Sequence, residues 1–99
     1  EIYKVGEPLH WIKGLDFYAK FLEQKTIIPH FNNKDGGKKT DTSYCFMGKE
    51  RFGALLKLLP KKEKICGVDE NTAAIINLKT KRILTLGKGK LHPPAIFYK

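Results

Sequence analysis

Apolar residues fall into short runs separated by polar, Gly-rich and Pro-containing stretches, and the period changes from run to run. Ile2, Tyr3 and Val5 alternate with Lys4 and predict the end of a strand closed by Gly6 and Pro8. Between Leu9 and Leu22, the residues Trp11, Ile12, Leu15, Phe17, Tyr18, Phe21 and Leu22 predict a loop and then a short helix after Gly14. Thr26, Ile27 and Ile28 predict a central strand that must stop at Pro29, which has no N–H for a sheet ladder. Asn32 to Lys39 reads as a loop, after which Asp41, Thr42 or Ser43 can cap a helix over Gly48 to Leu59. There Phe52, Leu55, Leu56 and Leu59 share one face, and Pro60 with Lys61 to Lys64 ends the helix at the surface. Ile65 to Val68 is a second short strand, so the pattern is βαβ, the unit of a parallel sheet. Ala73 to Leu78 and Ile83 to Leu86 predict an antiparallel hairpin around Lys79 to Arg82. Gly87-Lys88-Gly89 turns the chain, and Leu91 to Tyr98 supplies a last edge strand broken by Pro93-Pro94. The expected fold class is α/β, a partial three-layer sandwich with a mostly parallel sheet and a C-terminal antiparallel hairpin.

Two predicted parallel strands therefore end on chemistry. His30 follows the first, and Asp69 with Glu70 follows the second. Open α/β sheets keep their sites at the carboxyl ends of strands, and a carboxylate that orients a histidine is the logic of hydrolytic triads. The plainer readings are an exposed histidine at a strand end and an acidic turn before Asn71. The pairing makes a geometric demand: the two strands must be parallel and close enough for side chains at their ends to meet.

Charge adds a rival. The chain of 99 residues has 19 Lys and Arg against 10 Asp and Glu, a net charge of +9, and no acid follows Glu70. Such a hairpin and tail can attract phosphates, although only two of the 19 cations are Arg, the residue best suited to bidentate recognition of bases and phosphates. No apolar run approaches the roughly 20 residues of a membrane span, so no membrane association is expected. Cys45 and Cys66 suggest reduced thiols and a cytoplasmic setting, with one disulfide left open. His10, His30, His92 and the two Cys show no metal-ligand spacing, and Gly87-Lys88-Gly89 lacks the context of a dinucleotide loop, so no metal or cofactor is expected.

The pieces Ile28-Pro29-His30-Phe31-Asn32-Asn33, Gly36-Gly37, Asp41-Thr42, Cys45-Phe46-Met47-Gly48 and Gly67-Val68-Asp69-Glu70-Asn71-Thr72-Ala73-Ala74 occur in this order. From about Ile2 to Gly89 the chain resembles the C-terminal half of a class I glutamine-amidotransferase-like domain of the peptidase E and cyanophycinase type. That resemblance implies a serine-hydrolase-like site in which His30 is the base and Glu70 the acid, with Asp69 as the other candidate acid. It also implies a pocket shaped by Asn32, Asn33, Asp41 and Thr42. The family's Gly-x-Ser-x-Gly nucleophile turn is missing: Ser43 is the only serine, and neither cysteine is expected in a strained Gly-flanked turn. Residues 1–99 are accordingly expected to be one incomplete domain, inactive alone, that associates with a missing N-terminal half or with itself through an open sheet edge. The alternative is a small basic module for nucleic acid or other anionic partners.

Overall fold

Pro29 ends the first strand where the pattern requires. The computed structural model describes residues 8–17, 25–61 and 63–92, and in it β1 (Lys25–Ile28) runs parallel to β2 (Lys64–Val68). Thr26 lies opposite Ile65, Ile27 opposite Cys66 and Ile28 opposite Gly67. Parallel neighbours need a crossover of about a dozen residues or more, and this one carries α1 (Lys49–Leu58). The other edge of β2 pairs antiparallel with β5 (Leu91–His92), Gly67 facing His92 and Val68 facing Leu91. Among the described residues this sheet is therefore mixed, with order β1-β2-β5. β3 (Thr72–Asn77) and β4 (Arg82–Gly87) form a separate two-stranded sheet. The described residues are thus mixed α/β, with one helix, two small sheets and the expected hairpin among them.

The first helix turn is capped from a distance. Gly48 precedes it with φ +82° and offers no side chain; instead Asp41 Oδ2 accepts the Lys49 N–H at 2.8 Å. The same carboxylate takes the Ser43 N–H and hydroxyl on Oδ1. Gly48 is required twice over, by its left-handed φ and because a Cβ would stand 2.9 Å from the Asp41 carbonyl. Phe52 and Leu55 are buried, Leu56 and Leu59 pack beside them, and Lys49, Glu50, Arg51 and Lys57 face outward. At the other end Leu59 turns extended ahead of Pro60.

The core is Ile28, Phe31, Phe52, Leu55, Ile65 and Cys66, with Ile65 wholly excluded from solvent. Phe31 sits at its centre: its ring meets Tyr44 at 4.7 Å and Phe52 at 5.9 Å, both edge to face, and lies 4.5 Å from the His92 ring. Gly67 makes room for it, since a Cβ there would be 2.5 Å from the Phe31 ring.

Trp11 belongs to this packing. Its indole N–H donates to the Leu55 carbonyl at 2.8 Å, one of the four that a helix C-terminus leaves without an intrahelical partner. Trp11→Phe keeps most of the contact and loses the donor, so a loss of about 1 kcal/mol in urea unfolding is expected. The helix expected beyond Gly14 is not seen over 14–17, and its remainder over 18–22 lies outside the described residues, as do the strand expected at Ile2 to Val5 and the continuation of the last strand past His92.

Candidate functional site

His30 leaves β1 in a left-handed conformation, φ +50°, which non-Gly residues seldom adopt. The reversal sends Phe31 back under the sheet, where its N–H donates to the Val68 carbonyl at 3.0 Å, and leaves the imidazole exposed. A second left-handed stretch clasps the same spot: Tyr44, Cys45 and Phe46 have φ of +55°, +58° and +65°. Tyr44 N–H donates to Phe31 O and Cys45 N–H to His30 O. Cys45 thus occupies a left-handed turn, but one flanked by Tyr44 and Phe46 and not by glycines, so it is not the Gly-flanked nucleophile turn whose absence the sequence indicated. Burial pushes its thiol pKa up, and the Glu70 charge adds to this, so Cys45 is not primed as a thiolate.

Glu70 follows β2 at the same end of the sheet as His30. His30 Nδ1–H donates to Glu70 Oε1 at 2.9 Å across forty positions of sequence. Because an ionised carboxylate only accepts, the contact puts a proton on Nδ1, and in the neutral ring Nε2 then carries the lone pair. Asn33 completes the arrangement. It is 3% exposed; its Nδ2 donates to the same Glu70 oxygen at 2.6 Å and to Asp35 at 3.1 Å, while its Oδ1 accepts the Asp35 N–H. Asn32 Oδ1 accepts the Glu70 N–H at 2.7 Å.

These bonds hold the Glu70 carboxyl below its ordinary 4.5, the Asn33 amide contributing most and His30 next. A carboxyl lowered by folding adds stability that is present above the unfolded value and lost as pH falls through the folded one. Acid sensitivity below about pH 4.5 is therefore expected to soften in Asn33→Ala, as urea midpoints on a descending pH series would show. Asp41 acts with the same sign: its carboxyl is lowered chiefly by the Ser43 hydroxyl.

Asp69 does not share this site. It is 7% exposed and turns the other way: Oδ1 accepts His92 Nε2–H at 2.7 Å and Oδ2 accepts the Lys90 N–H at 3.1 Å. The two adjacent acids thus hold different histidines. His92 was not singled out by its sequence context; only the pairing of β5 with β2 brings it to Asp69.

Of the residues expected to shape a pocket, Asn32, Asn33 and Asp41 line a crevice of about 410 Å³ with Lys34, Ser43 and His92, above Phe31 and Tyr44. Its described walls do not include His30, Glu70 or Thr42. Thr42 instead accepts the Gly36 N–H on Oγ1 and shapes the loop. Among the described residues no three His, Cys, Asp or Glu side chains gather as a metal would require, and no helix is long and apolar enough to cross a membrane. Comparison with protein-family models, with curated proteins and with solved structures gives no match to the chain.

Proposed function

We propose that His30 and Glu70 are the base and acid of a serine-hydrolase-type site, in a domain of the amidotransferase-like kind with a larger, mostly parallel sheet layered between helices. The observation that carries the reading is the Nδ1–H to Oε1 contact at 2.9 Å between the ends of two parallel strands. In a triad the acid takes Nδ1–H, fixes the tautomer and leaves Nε2 to accept a proton from the nucleophile. The strained backbone at His30 and Tyr44 to Phe46 supports it, since residues held in sparsely populated conformations gather at functional sites.

The nucleophile of this reading is not among these residues. Ser43, the single serine, gives its hydroxyl proton to Asp41, and the chain has no Gly-x-Ser-x-Gly turn. A second segment carrying that turn would complete the site. Covalent labelling by a fluorophosphonate tests this on the native protein. A labelled serine other than Ser43 is expected, with labelling slowed about 100-fold or more in His30→Ala, the scale of lost general-base catalysis. Residues 1–99 alone should stay unlabelled. Absence of any labelled serine, or an unaltered rate in His30→Ala, rejects the reading.

A second reading, a basic module for anionic partners, is favoured by one feature. The hairpin exposes Ile75, Leu84 and Leu86 beside Lys79, Lys81, Arg82 and Lys88, with no acid from Asn71 onward. If this face binds nucleic acid, affinity must fall steeply with salt. A flat salt titration against RNA and DNA removes that possibility.

A further inference from the structure

His92 touches the residue next to each member of the proposed pair. Its ring lies 4.5 Å from the ring of Phe31, the neighbour of His30, and its Nε2–H holds Asp69, the neighbour of Glu70. We propose that His92, acting through Asp69 and Phe31, is a positioning residue that sets Glu70 against His30. This inference rests on the hydrolase reading of that pair.

The carboxylate of Asp69 is tied on both oxygens, to His92 and to the Lys90 N–H, and its own N–H donates to the Lys90 carbonyl at 3.2 Å. The peptide that leads into Glu70 is thereby fixed to β5. Glu70 itself is held on either side: its N–H by Asn32 Oδ1, and its carbonyl by the Thr72 hydroxyl at 2.9 Å. Thr72 Oγ1 in turn accepts the Gly89 N–H, and Gly89 packs so closely on Asp69 and Thr72 that a Cβ would collide with both. With its backbone set, Glu70 has only side-chain torsions left to search, and the contact with His30 is pre-organised. Burial fits this division of labour: the Asp69 and His92 side chains are 6% and 23% exposed, whereas those of Glu70 and His30 are 32% and 47% exposed. The outer pair is open to a reacting group, and the inner pair holds the frame.

His92→Phe keeps a ring against Phe31 and removes the donor; His92→Gln keeps a donor and removes the ring. Carboxyl ¹³C NMR on the folded chain reads the Glu70 titration directly, and cross-strand contacts between Gly67 and residue 92 report whether β5 stays paired. In His92→Phe the Glu70 midpoint is expected to rise from its lowered position toward the ordinary value, part of the lowering persisting through the Asn33 amide, with β5 still paired. His92→Gln should bring it back toward wild type, which a role in packing alone would not do. Should His92→Phe fail to fold, Asp69→Asn, which removes the charge that holds His92 and retains an acceptor for Lys90, is read in the same way. A Glu70 carboxyl that titrates as in wild type in either folded variant overturns the proposal. Failure of fluorophosphonate labelling would reject the hydrolase reading but leave this titration readable, so the two failures are distinct.

Discussion

Phe31→Ala is expected to destabilise the protein by about 3–5 kcal/mol, the usual range for deleting a buried aromatic side chain. The site has no means of collapsing onto the space. Gly67 offers no side chain, and Tyr44 and Phe52 are stacked on each other at 4.5 Å, so neither can swing in without breaking that contact. His92 loses its ring partner at the same time. The effect should extend to the site, since the Phe31 main chain bonds both Val68 and Tyr44. Chemical denaturation measures the loss, and a cost below about 1 kcal/mol would mean that Phe31 is not the centre of the core.

Asp69→Ala and Glu70→Ala should separate two adjacent acids by kind of effect. Removing Asp69, itself only 7% exposed, leaves the His92 Nε2–H and the Lys90 N–H without their acceptor, a change that typically costs about 1–3 kcal/mol. Glu70 faces solvent, and screening keeps the energetic worth of exposed pairs small. Glu70→Ala, which also removes one acceptor of the buried Asn33 amide, should therefore lower the unfolding midpoint less than Asp69→Ala while releasing His30. Denaturant midpoints for the two variants, measured side by side, check the contrast. Equal midpoints would contradict it.

That contrast marks where the sequence stops being legible. The meeting of His30 with the Asp69-Glu70 turn could be read, because Pro29 ends a strand and a helix long enough for a crossover separates two apolar runs. Which acid does the meeting could not: alternation along a strand tells faces apart only while the strand lasts, and both acids lie past Val68. The helix face was legible from the spacing of Phe52, Leu55, Leu56 and Leu59, whereas the cap was legible only as one of Asp41, Thr42 and Ser43, and the structure assigns it to Asp41. The reach of Asp41 to Lys49 across eight positions depends on the left-handed turn at Tyr44 to Phe46, for which these residue types give no signal. The hairpin was visible from its turn, where Asn77 Oδ1 accepts the Lys79 and Thr80 N–H groups. That it forms a sheet apart from β1-β2-β5 is a tertiary fact, as is the register that puts His92 opposite Gly67.

Long-range ¹H–¹⁵N NMR of the His30 ring tests the central claim most directly. With Glu70 accepting from Nδ1, the neutral ring should carry its proton on Nδ1 and show Nε2 as the bare nitrogen, and Glu70→Ala should shift it toward the Nε2–H form that an unpartnered imidazole prefers. A ring that is Nε2–H in the wild type, and unchanged in Glu70→Ala, would contradict the assignment of these two residues as an acid–base pair.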